Sequence, residues 1–364
     1  MPGMRNAVAA WDRFFFTPRP PHALAVLRVV TGLMLAYSHA VWWTEVAAFF
    51  GPDAWIDSKA ARSLAGGDVS PSGPSYLTAI ESMPLLHLHQ AIAVIAALML
   101  AAGCLTRIVA PMCWLMQLAV VHRLGGMLFG LDQIVLYAAM YLTVADPGGA
   151  WSIDRRLVDR FGPRWWLPNV SANVRNNVAT RLMQIHLCVI YLFGGLAKSR
   201  GVTWWDGTAT WYSVASGDYQ SLDMLWITDW PWLFSAITHA TLFLELSYVA
   251  LIWPRLTRPI VLAGVVAMHA GIAAFLGMMT FGVMMIVANV VFVPAAWFER
   301  IRPDVAPEPE PSTDIPDDAS PDDLRRIRDD LRSRERTYRD KLSKLKSREA
   351  KLKELAERRR DRGS

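Results

Sequence analysis

Charge is what this sequence has little of, except at one end. Only 19% of its 364 residues are charged, while 53% are apolar. Soluble chains carry about 25% charged residues. Of the 37 Lys+Arg, 17 lie between Asp322 and Ser364 beside 10 Asp+Glu. A further six acidic residues and no basic ones lie between Pro303 and Pro321. The first 302 residues therefore hold only 20 Lys+Arg and 16 Asp+Glu. Cysteine is also scarce, at three residues, Cys104, Cys113 and Cys188, all in or beside apolar runs and none with metal-ligand spacing. These shortages argue against a secreted disulfide scaffold, a DNA-binding domain, an ordinary soluble enzyme and a metal site.

What the chain has instead is long apolar runs, 16 Trp and 16 Met. A bilayer core about 30 Å thick takes about 20 apolar residues of helix. Such runs recur at 23–43, 85–105, 108–124, 127–145, 182–197, 233–253, 260–276 and 278–297. The expected fold is an all-α, polytopic transmembrane bundle of about eight spans over residues 1–302. The first run is too long for a signal peptide and lacks a small-residue cleavage site, so it reads as a span. Fourteen Arg lie at the N-terminus and in the even-numbered loops, against five Lys+Arg on the opposite side. That bias predicts cytoplasmic termini in a cell inner membrane, with loops 44–84 and 199–230 facing outward.

The tail reads differently. Residues 303–321 are rich in Pro and acid and predict an extended linker. Ser320 and Pro321 then have the form of a helix start. Leu331, Tyr338, Leu342, Leu345, Leu352 and Ala356 recur at spacings near three and four, interrupted by Glu335 and Glu349. Residues 322–364 are expected to form a charged, weakly coiled-coil helix, suited to self-association or to a cytoplasmic partner. Tyr338 is its only aromatic, which argues against nucleic acid.

Ionisable groups inside spans are costly and mark function or pairing. Here they are Arg28, Asp132, His186, Lys198, His239, Glu245 and His269, joined by the uncharged Gln133, Gln184 and Asn289. Lys198 ends a run after the close-packing pair Gly194–Gly195 and precedes a loop dense in rings, with Trp204, Trp205, Trp211, Tyr212, Tyr219 and Trp226. Those rings read as an interfacial belt, as the wall of a ligand site, or as both. Lys198 reads either as a snorkelling side chain or as a base at the mouth of an apolar cavity. His269 and Glu245 read equally well as helix-to-helix partners.

Several stretches occur in an order that resembles the vitamin K-dependent γ-carboxylase-related family, the HTTM membrane proteins. Phe49-Phe50-Gly51-Pro52-Asp53-Ala54-Trp55 resembles the motif after that family's first span. Tyr191, Gly195 and Lys198, followed by Trp204 and Gly207, resemble its Y-x-x-x-G-x-x-K…W-x-x-G signature. Glu245 falls in its acidic helix and Met268-His269 in its F/M-H helix, so the likeness covers residues 20–300. The resemblance implies a site open to the extracytoplasmic side, with Lys198 as the base toward a reduced quinone. The same resemblance would put His269 in that site with Glu245 and Gln133 behind it, Gln133 occurring where the family carries a second histidine. Trp204, Trp205, Trp211 and Tyr212 would line the quinone, and no metal is implied. The implied reaction is quinol-linked carboxylation of a glutamate. Two other readings stand beside it: a DoxX-like quinone redox protein without carboxylation, and a non-enzymatic membrane scaffold that recruits partners by its tail.

Overall fold

The computed structural model describes residues 2–64, 75–217, 220–301, 328, 329 and 335. The chain divides into two units, 1–308 and 309–364. The coiled-coil expectation for 322–364 lies outside the described residues.

Among the described residues the first unit is built from helices, with one isolated bridge between Arg19 and Asn173. In chain order they are α1 (Pro2–Phe16), α2 (His22–Thr44), α3 (Val46–Phe50), α4 (Ser58–Leu64) and α5 (Met83–Ala102). Next come α6 (Thr106–Arg123), α7 (Gly130–Val144), α8 (Ile153–Phe161) and α9 (Val174–Lys198). The rest are α10 (Val202–Trp205), α11 (Ala209–Ala215), α12 (Pro231–Leu251), α13 (Arg258–Phe275), α14 (Met279–Ala288) and α15 (Ala295–Ile301).

Each of the eight apolar runs contains a helix. By length and composition, five helices can cross a membrane: α2, α5, α9, α12 and α13. The other three fall short for visible reasons. Helix α6 carries Arg107 and Arg123 at its ends, with Pro111 and Gln117 between them. Helix α7 has 15 residues, a rise of about 22 Å at 1.5 Å per residue, below the core thickness of about 30 Å. Helix α14 has ten residues before a 3₁₀ turn at Asn289–Phe292.

The bundle has a largely apolar core, with leucines, methionines and tyrosines beside small residues and some buried polar groups, and it is apolar outside as well. Helix α2 meets α5 at Gly32, where a Cβ would lie 2.5 Å from the Ala101 nitrogen and 2.7 Å from the Ala97 oxygen. Small residues at such crossings let backbones approach in a medium without a hydrophobic drive between helices. Leu33, Ile95, Phe193, Phe243 and Ile260 point outward and are exposed, the pattern of side chains facing lipid.

Charged groups staple one end. Arg28 is wholly buried and donates to four carbonyls, those of Leu100 (2.7 Å), Ala101 (2.6 Å), Trp151 (2.8 Å) and Pro147 (3.2 Å). Asp154 accepts from the Leu105 and Thr106 nitrogens at 2.7 and 2.8 Å and so caps α6. Arg28 is therefore a structural clamp rather than a site residue.

Candidate functional site

The site forms where α9 and α12 touch. Residues 191, 195 and 198 share one face of α9 at i, i+4 and i+7. At Gly195 an added Cβ would lie 3.0 Å from the Leu246 side chain and 3.1 Å from its backbone nitrogen. Glycine there lets α12 come close enough for Glu245 to reach Lys198. The Lys198 ammonium donates to Glu245 Oε1 at 3.1 Å and lies 2.9 Å from Oε2. Glu245 is buried, with a side chain 9% exposed, whereas that of Lys198 is 30% exposed. Oε2 shares the charge contact but accepts no hydrogen bond. The ammonium compensates its charge, and a second lone pair stays open to a further donor.

The Trp204 ring closes the pair from the loop side, its centroid 5.5 Å from Lys198 Nζ. That is within the range at which a ring face attracts a cation. The loop is held by Gly207, whose φ of +82° favours glycine and whose absent side chain makes room for Ser235. His239 fixes it further, one ring nitrogen 2.7 Å from the Ser235 carbonyl and the other 3.1 Å from the Trp205 carbonyl.

A second group lies deeper along the same helices. Tyr191 Oη is 2.9 Å from His269 Nε2 of α13. Asn289 donates to Tyr191 Oη at 3.2 Å and accepts from Tyr248 Oη at 2.6 Å. The rings of Tyr191 and Tyr248 stack 4.1 Å apart. Buried tyrosine hydroxyls need partners, and Asn289 serves both. Among the described residues, the buried His269 Nδ1 has no hydrogen-bond partner. Tyr191 stands seven residues before Lys198, or about 10 Å along the helix axis. Glu245 and Tyr248 are three residues apart on one face of α12.

Not every expected residue joins. Lys198, Glu245 and Trp204 come together. His269 belongs to the tyrosine–asparagine group one or two turns away. Trp205 is exposed; its indole donates to the Ser199 carbonyl at 2.7 Å and its ring meets Phe243. Trp211 packs on Phe234, centroids 5.2 Å apart, in a separate cluster with Val214, Met224 and Ile227. Tyr212 is exposed, as is Gln133 on α7, whereas its neighbour Asp132 turns inward and accepts from the Phe129 nitrogen. His186 pairs with Tyr141 at 2.7 Å, away from Lys198. The sequence marks Tyr191 as a signature residue and Asn289 as a polar group within an apolar run, but not their bond to each other. Among the described residues no group of three His, Cys, Asp or Glu is placed to hold a metal.

The chain matches no known family model, no curated protein and no solved structure.

Proposed function

We propose that the chain is a multi-pass membrane enzyme that moves a proton to or from a reduced quinone at the Lys198–Glu245 pair. The single observation behind this reading is a buried carboxylate that holds an ammonium yet keeps one oxygen without a hydrogen bond. That free oxygen suits a quinol hydroxyl as donor, and the Trp204 ring suits the face of a quinone. When bound, a quinol would supply the reducing equivalents, and dioxygen would take them up in the reaction that the resemblance implies. Glu245 Oε2 accepts the hydroxyl proton, so one O–H bond breaks and another forms. Lys198, still an ammonium, holds the charge left on the donor oxygen. This differs from the base role that the resemblance gives Lys198. Carboxylation of a glutamate, the reaction implied by the resemblance, is the reading for the second half of the turnover.

The same proposal places eight crossings in an inner membrane, with α6, α7 and the α14 segment completing the set and both termini cytoplasmic. The inward packing of α7 against α2, α6 and α9 supports this, as does the fourteen-to-five bias of basic loop residues. The test is quinol consumption by purified protein, with and without bicarbonate. Consumption that needs bicarbonate supports carboxylation. Consumption without it leaves the redox reading, and no consumption by intact protein overturns the enzyme reading.

A further inference from the structure

Three arginines converge toward the other end of α9, with no carboxylate bonded to them among the described residues. Arg181 lies on α9, with its guanidinium 4.2 Å above the Phe14 ring. It donates to the Phe14 carbonyl at 3.1 Å and to Gln184 Oε1 at 2.9 Å. Gln184 in turn donates to the Val291 carbonyl at 2.7 Å, and Arg19 donates to the same carbonyl at 3.3 Å. Arg258 opens α13 and reaches the Ile252 carbonyl at 3.1 Å and the Trp253 carbonyl at 2.5 Å. The Trp253 ring meets Phe14 at 5.7 Å. Phe14, Gln184, Trp253 and Val291 therefore tie the three guanidinium groups into one patch.

Every acceptor in this patch is neutral. A guanidinium carries five N–H donors, and the three groups together make five hydrogen bonds. Most donors are left over. Like charges held together disfavour one another; burial and its two arginine neighbours bring Arg19 down to about 10. All three side chains are half-buried, so the patch is reachable from outside.

Large apolar side chains are exposed beside it, interspersed with the exposed Asp12, Arg13 and Arg255. Leu256 and Ile260 flank Arg258 and are 83% and 72% exposed. Trp11, on the same turn of α1 as Phe14 and Phe15, is 61% exposed. Three cations beside bare aliphatic and indole surface match a molecule with an anionic phosphate and hydrocarbon chains.

We infer that Arg19, Arg181 and Arg258 form a binding site for the phosphodiester of an anionic phospholipid, whose chains lie along Leu256 and Ile260. The inference rests on the chain spanning a membrane, but not on the quinone reading, which involves other side chains. A free phosphate shares the headgroup chemistry and lacks the chains, so the exposed aliphatics favour the lipid.

The test is native mass spectrometry of the full-length protein in detergent, titrated with phosphatidylglycerol or with phosphatidylcholine of the same acyl chains. A basic residue near a headgroup strengthens anionic-lipid binding about five-fold. Phosphatidylglycerol should therefore be retained over phosphatidylcholine, and each Arg→Gln substitution should erase about five-fold of that preference. Equal retention of the two lipids by the unaltered protein overturns the site without any variant. Preference unchanged in Arg258→Gln, which loses bonds only to its own loop, also overturns it. Inorganic phosphate that displaces phosphatidylglycerol at equal concentration overturns the lipid assignment in favour of a free anion.

Discussion

Glu245 Oε2 lies 2.9 Å from Lys198 Nζ and yet accepts no hydrogen bond, while Oε1, at 3.1 Å, accepts the one that Lys198 donates. The pair thus contains both a cation and a carboxylate oxygen that can accept from a further donor. Two substitutions separate the roles. Arginine at 198 keeps the cation and cannot serve as a base. Glutamine at 245 keeps the shape and loses the carboxylate. With Glu245 as proton acceptor, Glu245→Gln should lower quinol turnover by about 10²–10⁴-fold, and Lys198→Arg should retain most of it. The reverse pattern would assign the base to Lys198.

The pair should also show energetic coupling. Removing one partner of a buried ion pair leaves the other charge uncompensated, at about 3–5 kcal/mol. The exposure of Lys198 reduces that cost. Lys198→Met should therefore destabilise the protein more than the double variant Lys198→Met/Glu245→Leu, in which no charge is stranded. Thermal unfolding in detergent measures the four corners of the cycle. Additive effects would show that the contact is energetically idle.

Neighbouring glycines make a sharper contrast. A Cβ at Gly194 meets Glu245 Oε2 at 3.4 Å, an ordinary contact, whereas at Gly195 it meets Leu246 backbone at 3.1 Å. Backbone cannot swing aside as a side chain can. Gly195→Ala should push α9 from α12 and cost about 1–3 kcal/mol. Gly194→Ala should leave the unfolding temperature nearly unchanged. Equal stability of the two variants would show that α12 is free to shift.

These contrasts indicate how far a single sequence can be read. Apolar runs located the helices because burial in lipid and burial in a core need the same residues. Those runs did not separate the five long spans from α6, α7 and α14, whose defects are two terminal arginines and too few residues. Lys198 and Glu245 were each visible as charges in apolar surroundings. Their partnership was not, because periodicity assigns a residue to a face and says nothing of which helix covers that face. The Trp-rich loop divides for a related reason. Composition treats Trp204, Trp205, Trp211 and Tyr212 as one group, but the turn at Gly207 sends Trp204 to Lys198 and Trp211 to Phe234.

Asn289 is the hub of the deeper group, so its loss should cost more than its size suggests. Asn289→Leu keeps much of the volume and removes the partner of Tyr248 Oη and a donor to Tyr191 Oη. Each unsatisfied buried hydroxyl costs about 1–3 kcal/mol. The single variant should unfold at a clearly lower temperature. Adding Tyr248→Phe should recover part of the loss, because no hydroxyl is then stranded there. Absence of any recovery would show that Tyr248 finds another acceptor.

Arg123 offers the opposite case. It ends α6, is wholly buried, and among the described residues none of its three guanidinium nitrogens has a hydrogen-bond partner. Its neighbours include Val120 and Leu124, both in an apolar cluster with Phe50, Leu77 and Leu86. Asp57 acts on it electrostatically without bonding to it. A buried charge without acceptors is destabilising, and replacing one with an apolar side chain of similar volume is often neutral or stabilising. Arg123→Met should therefore leave the thermal midpoint in detergent unchanged or raise it by a few degrees. Arg123→Ala removes the charge but also the stem that fills the cluster, so it should fall below Met. A lower midpoint in Arg123→Met than in the unaltered protein would mean that an acceptor does satisfy the guanidinium.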